Sequence, residues 1–238
     1  MRNHQIILSL VIMIAALAFV GCDKNRDPGP ITTEIYPATG FDQVKIASLG
    51  QVTLHHGTDF EVRIVTHVEV HREIEVEVVG STLEIRYNEN TSKIRIDQFD
   101  IEITAPLYTG VTLSGVADIT GTDGIATSTL MVRTTGVGDI TLRNIDVDMI
   151  DVVLDGVGDI ELAGSATNSS MVMKDVGSIR AFDLLTDTCN ARLAGVGEIR
   201  VSVTDLLDAT LSGVGDIVYD GDPVLITDIS GQGTVRQR

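Results

Sequence analysis

The sequence predicts an all-β protein, a right-handed parallel β-helix built as a solenoid of short coils behind a strand-rich N-terminal cap. Three observations predict it. A phrase of the form Gly-Val-Gly-acid-Ile returns seven times, as LSGVADIT, TTGVGDIT, LDGVGDIE, MKDVGSIR, LAGVGEIR, LSGVGDIV and ISGQGTVR. Its first glycine falls at Gly115, Gly136, Gly156, Gly195, Gly213 and Gly231, with Asp175 standing in once, so the period is 18 to 21 residues. A unit that short cannot bury an apolar side alone, whereas stacked copies can. Aromatics make up only 4% of the chain and Trp is absent, which leaves a core of Val, Ile and Leu, the aliphatic supply that suits strands.

The chain opens on MRNHQIILSLVIMIAALAFVGC, where Arg2 precedes an apolar run over residues 6–20 that closes on Gly21 and Cys22. That run is short of the roughly 20 residues a bilayer span requires, and the order of basic start, apolar stretch and small residue is that of an export signal. FVGC resembles the bacterial lipobox, which implies cleavage before Cys22 and acylation of its thiol. Residues 1–21 are read as a lipoprotein signal peptide, and residues 22–31, with the polar stretch DKNRDPGP, as the lipidated Cys22 and its tether. Cys189 is then the one cysteine left. A disulfide framework and a cysteine zinc site are both excluded, and the repeat register turns Cys189 inward.

Charge narrows the partners. The chain holds 17 Lys+Arg against 34 Asp+Glu, a formal net charge of −17, and residues 1–21 contain one Arg and no acid. Such a surface argues against nucleic acid and anionic headgroups and favours cations. Attachment to a membrane therefore rests on acyl chains at Cys22, of which two or more anchor stably.

Residues 32–106 alternate apolar and polar positions in VKIASLGQVTL, EVRIVTHVEV, IEVEVVGSTLEI and KIRIDQFDIEIT, the period-2 mark of half-buried strands. IASLGQVTL is a degenerate copy of the phrase, with Ser48 and Gly50 at the glycine positions and Val52 at the isoleucine position. This part is expected to form antiparallel hairpins or irregular early coils that cap the stack, because solenoids hide their open ends.

Residues 107–238 are the repeat β-helix. Columns run down the aligned copies: Leu113, Thr134, Leu154, Met173, Leu193, Leu211 and Ile229; Val111, Val132, Val152, Met171, Ala191, Ala209 and Thr227; Leu130, Ile150, Cys189, Leu207 and Leu225. After the glycine come a valine column, at Val116, Val137, Val157, Val176, Val196 and Val214, and an isoleucine column from Ile119 to Ile217 that ends on Val235. Stacked at the strand spacing of about 4.8 Å, these are expected to form internal ladders of Val, Ile and Leu. The corners are assigned to Gly115, Gly136, Gly138, Gly156, Gly158, Gly195, Gly197, Gly213 and Gly215, where glycine permits close stacking and unusual backbone angles. A β-propeller needs about 40 residues per blade and a leucine-rich repeat needs its Asn and helical segments, so neither fits.

Lipobox, a FDQVKI entry at residues 41–46, a strand-rich lead ending in IEITAP, and then repeated LSGVGDI-type coils together resemble the auto-transporter adhesin, head GIN domain family of bacterial envelope proteins. The resemblance covers residues 31–238 as one continuous domain. It implies a β-helix and an exported, often lipid-anchored protein of the kind found in Bacteroidota, with no catalytic residues to carry over. KDVGSI at residues 174–179 and SGQGTV at 230–235 depart from the repeated motif.

An acid stands between the second glycine and the isoleucine in most copies: Asp118, Asp139, Asp159, Glu198 and Asp216, with Ser178 and Thr234 in the others. Alternation turns these residues outward. Neighbouring carboxylates about 4.8 Å apart repel by roughly 1 kcal/mol in water, so the row is tolerable when wet. Calcium, which takes several oxygens, is the cation it would recruit, but the copies lack the spacing of calcium-binding β-rolls. No cofactor is otherwise implied. Two residues on, Arg180 and Arg200 join the same face. The residues thus point to a non-enzymatic binding surface at the outer membrane or cell surface, offering an acidic face to a glycan or protein partner. The alternatives are an envelope scaffold without a small ligand and a carbohydrate-active β-helix enzyme using Asp159, Arg180, Glu198 and Arg200. A catalytic site should break the repeat, and these positions follow it. His55, His56, His67 and His71 cluster upstream; His67 and His71, four apart in a strand, would share a face, and solvated histidines are the reading preferred over a metal site.

Overall fold

The computed structural model describes residues 27–88 and 96–238; the signal peptide, Cys22 and the first part of its tether lie outside the described residues, as does the KIR of KIRIDQF. Strands make up 73% of the described residues, and stacked parallel strands form a solenoid of about 6 turns.

The N-terminal part holds β1 (Ile31–Tyr36), β2 (Gln43–Ala47), β3 (Leu49–His56), β4 (Glu61–His67), the helical turn α1 (Val68–His71), β5 (Ile74–Val79), β6 (Thr82–Tyr87) and β7 (Phe99–Ala105). It combines both expected forms. Early coils appear where β2 runs parallel to β6 and β3 runs parallel to β7. Antiparallel strands then close the end: β5 on β6, β4 on β7, and β1 on β4. Leu49 pairs with Val116, Gly50 with Ala117 and Val52 with Ile119, so IASLGQVTL is a working copy of the phrase. Apolar side chains plug this end: Phe41 packs on Phe60 at 5.0 Å between ring centroids, and Val70 of α1 is fully buried.

The repeats supply β8 (Gly110–Leu113), β9 (Val116–Gly121), β10 (Ile125–Thr134), β11 (Ile140–Leu154), β12 (Val157–Met173), β13 (Val176–Leu193), β14 (Val196–Leu211), β15 (Val214–Asp220), β16 (Val224–Ile229) and β17 (Val235–Gln237). Every neighbouring pair from β10–β11 to β14–β15 is parallel, and β14 is followed by β16 on one side and β15 by β17 on the other. Register shifts within β11–β14, such as Leu142/Ile145 and Glu161/Ala163, mark where each long strand bends to a new side.

The isoleucine and leucine columns are the core. Ile140, Ile160, Ile179, Ile199 and Ile217 are fully buried, as are Leu113, Leu154, Met173, Leu193 and Leu211. Cys189 is buried as expected, in register with Ser169 and Leu207. Ser169 is tolerated inside because its hydroxyl donates to the Thr188 carbonyl at 3.3 Å.

The valine column corrects the expectation. Val116, Val137, Val157, Val176, Val196 and Val214 are 46–58% exposed, not part of an internal ladder. Strict alternation explains it: Leu113, Gly115, Ala117 and Ile119 share the inward parity, which leaves Val116 pointing out. The inward positions at the corner are occupied by glycine because the chain is pressed onto the coil before it.

The two glycines of each corner do different work. At Gly197, φ is +150° and an added Cβ would lie 1.7 Å from the Gly177 carbonyl oxygen, so both backbone angle and space demand glycine. At the first position φ is ordinary and the constraint is close approach alone, which is why Asp175 and Ser48 can take it.

Candidate binding face

The acid row stacks as the phrase predicts, with Asp159, Ser178, Glu198 and Asp216 in direct register. Its carboxylates are nonetheless engaged. Asp118 Oδ1 accepts the backbone N–H of Asp139 at 2.9 Å, Asp139 Oδ1 accepts that of Asp159 at 2.8 Å, and Asp216 Oδ1 accepts the N–H and hydroxyl of Thr234 at 2.9 and 2.8 Å. The second glycine rotates its peptide, the main-chain ladder skips an acceptor there, and a short carboxylate one residue later fills the gap. Each carboxylate thus supplies the acceptor that the N–H of the next coil lacks in the main-chain ladder.

Second oxygens are engaged as well. Asp118 Oδ2 accepts from Gln51 Nε2 at 2.9 Å. Arg180 reaches Asp159 Oδ2 at 2.7 Å, Arg200 donates Nε and Nη2 to Glu198 Oε2 at 2.8 and 2.6 Å, and Arg236 Nε lies 3.8 Å from Asp216 Oδ2. The hydrogen bonds from Thr234, and to a lesser degree Arg236, hold the Asp216 carboxyl below the usual carboxylate range. Arg180, Arg200 and Arg236 thus sit beside Asp159, Glu198 and Asp216, and among the described residues no group of three or more His, Cys, Asp or Glu is placed to hold a metal ion.

Two features escaped the sequence reading. The first is the exposed valine row, flanked mostly by glycines and lying two residues before the acid position along each coil. Its signal was parity, available from Leu113 and Ile119. The second is the stretch after each isoleucine, where Asp146, Asp148, Asp183, Asp187 and Asp205 are exposed and carry part of the negative charge.

The histidines do other work than expected. Val68–His71 is a helical turn, so His67 and His71 do not share a strand face, and both are buried rather than solvated. His67 Nδ1 lies 2.7 Å from the Gly29 carbonyl oxygen, and His71 sits 3.0 Å from the Tyr36 hydroxyl and 3.2 Å from the Thr32 carbonyl oxygen. They fasten β1 to the cap. His55 pairs at the surface with Asp123 at 3.1 Å. At the head of the acid row, Leu49, Gly50, Gln51, Ile96, Phe99 and Asp100 line an open cleft of about 280 Å³, and Asp100 is in register with Gln51, which is in register with Asp118. Among the described residues no helix is long and apolar enough to cross a membrane.

Comparison with known proteins fits this geometry. The family model described as "Putative auto-transporter adhesin, head GIN domain" matches residues 40–223. A solved "putative adhesin" from Bacteroides fragilis is similar at 27% identity with a TM-score of 0.87, covering 90% of this chain and 100% of its own. A "putative lipid binding protein" from Parabacteroides distasonis (20% identity, TM-score 0.73) and a "putative adhesin" from Parabacteroides merdae (18%, 0.63) share the fold, each over 90% of this chain and 100% and 99% of their own. A search of curated proteins finds no match.

Proposed function

Because the chain belongs to the head GIN domain family of auto-transporter adhesins, we propose that it is a non-enzymatic adhesin of the cell envelope, held through acyl chains on Cys22, that binds a surface glycan or protein along its glycine corners. Family membership supports a surface or exported protein, and the Bacteroides fragilis relative carries the same adhesin name. The observation that carries the reading is the row of six half-exposed valines, from Val116 to Val214. Continuous exposed apolar surface is uncommon on soluble proteins and marks contact sites. Flat, glycine-bordered methyl groups repeating with the strand spacing fit an extended partner, such as a sugar chain lying along the solenoid or a strand-rich protein face. The adjoining arginines and carboxylates supply hydrogen-bonding groups to orient it.

Every strand among the described residues lies between Ile31 and Gln237, so a protein of residues 23–238 keeps them all. Beads coated with it are tested on glycan arrays and on extracellular-matrix proteins, beside a variant with Val137, Val157, Val176 and Val196 changed to Thr. The expected result is binding by the parent and at least a tenfold loss in the variant at unchanged melting temperature. Equal binding by both would move the site off the valine row, and no binding by either would favour an envelope scaffold.

A further inference from the structure

The two ends of the solenoid differ in kind. At the N-terminal end Phe41, Phe60 and Val70 pack onto the core and the edges of the first coil are covered by the antiparallel strands β4 and β5. At the other end the interior is open. Leu207, Ala209 and Leu211 are fully buried, yet in the next coil Leu225 and Ile229, in the same inward columns, are 40% and 47% exposed, and the outward Val224 and Ile226 are 68% and 53% exposed. β16 is thus a six-residue edge strand, VLITDI, apolar on both faces. An exposed, flat, hydrophobic edge is a template for another strand.

We propose that β16 is the interface of a two-fold dimer, in which a second copy of this chain docks its own β16 antiparallel and the two solenoids join end to end. Three observations select this occupant. A head-to-tail stack would require the partner's N-terminal end, which is plugged, whereas the open end is complementary to itself and closes as a pair. With the two-fold at Thr227, Leu225 faces Ile229 of the second copy, Thr227 faces Thr227, and Ile226 faces Asp228, so inward columns continue inward across the junction. In that register no acid of β16 faces an acid, although the chain as a whole carries −17.

The test uses residues 23–238 and sedimentation equilibrium. The expected mass is twice that of the monomer for the parent and that of the monomer for Leu225→Lys with Ile229→Lys, both at exposed positions whose change leaves the fold and its circular dichroism intact. The register is read by diamide oxidation: Thr227→Cys should yield a disulfide-linked dimer, since facing Cα atoms in an antiparallel pair lie about 4.5–5.5 Å apart, within disulfide reach. Leu225→Cys, which faces Ile229, should not. A monomeric parent would overturn the proposal; protection of the 224–229 amides in that monomer would show that the chain covers its own end. A dimer that survives the double lysine change would place the interface elsewhere, and cross-linking of Leu225→Cys in preference to Thr227→Cys would overturn the register.

Discussion

Replacing the acids of the repeat by Asn and by Ala separates two roles that charge and geometry would otherwise confound. Asn keeps a carbonyl oxygen where Asp139 Oδ1 now accepts the Asp159 N–H at 2.8 Å; Ala removes it. Both remove the charge and any repulsion within the row, so the difference between the two variants isolates the hydrogen bond. The bond that Asn keeps and Ala loses is to a neutral amide oxygen, which contributes about 0.5–1.5 kcal/mol, so about 1 kcal/mol is expected for Asp139→Ala beyond Asp139→Asn. For a protein of this size that is about 2–4 °C in midpoint. Asp216→Ala should lose rather more than Asp139→Ala, because Asp216 accepts both the N–H and the hydroxyl of Thr234, and the two sites are separate enough in the stack for their effects to add. Thermal melts and urea titrations of the single and double variants measure this. If the Asn variants lose as much as the Ala variants, the carboxylate charge rather than the backbone bond is what matters; if neither loses anything, the row is free surface and the structural reading of the acids is wrong.

Gly197→Ala should cost at least about 2 kcal/mol, because a positive φ alone costs a non-glycine residue roughly 1–2 kcal/mol and the Cβ meets a carbonyl oxygen 1.7 Å away; urea unfolding checks it. Cys189, with its thiol pushed up to about 11 by burial, should resist maleimide at pH 7.5 in the native protein and react on denaturation, and rapid native labelling would contradict its inward placement. The lowered Asp216 carboxyl means that its stabilising contribution is complete above the ordinary aspartate value of about 3.9 and is lost only as pH falls further, through its lower folded value. The acid limb of the melting curve should accordingly shift to higher pH in Thr234→Val, which removes one of the two hydrogen bonds to that carboxylate.

What could be read from the sequence was whatever repeats. The isoleucine column from Ile119 to Val235, the inward Cys189 and the degenerate copy at Ser48–Gly50–Val52 all follow from period and parity, and the structure places them so. The valine row was legible by the same parity, but its apolar identity pulls the reading inward: the chemical preference for burial and the alternation of the strand conflict there, and alternation wins because glycine fills the inward side. VEVH at residues 68–71 alternates like a strand and is a helical turn; four residues cannot specify a helix, and the turn exists because Val70 and His71 are buried by the cap. Pairing direction in residues 32–106 was not legible either, since alternation reports which face is buried and not which neighbour lies alongside. The backbone bonds of Asp118, Asp139 and Asp216 depend on how the glycine peptides are rotated, which is a property of three dimensions.

Taken position by position, the phrase now separates fold from function. The first glycine allows coils to approach, the second adopts a backbone angle barred to other residues, the aspartate supplies a missing acceptor, and the isoleucine is core. Each is explained by the solenoid. The valine between the glycines is not: it is half exposed, and Gln232 occupies the same position in the last copy, paired with Val214 through an ordinary parallel bridge, so the fold accepts a polar residue there. Strand preference alone would be met as well by threonine, which is also β-branched, yet six successive copies carry valine. Full burial of a valine gains about 1.5–3 kcal/mol; these six are already half covered, so an apolar partner surface would gain about half of that at each. On the proposed function, the valine row is therefore where a partner's free energy of binding is to be sought.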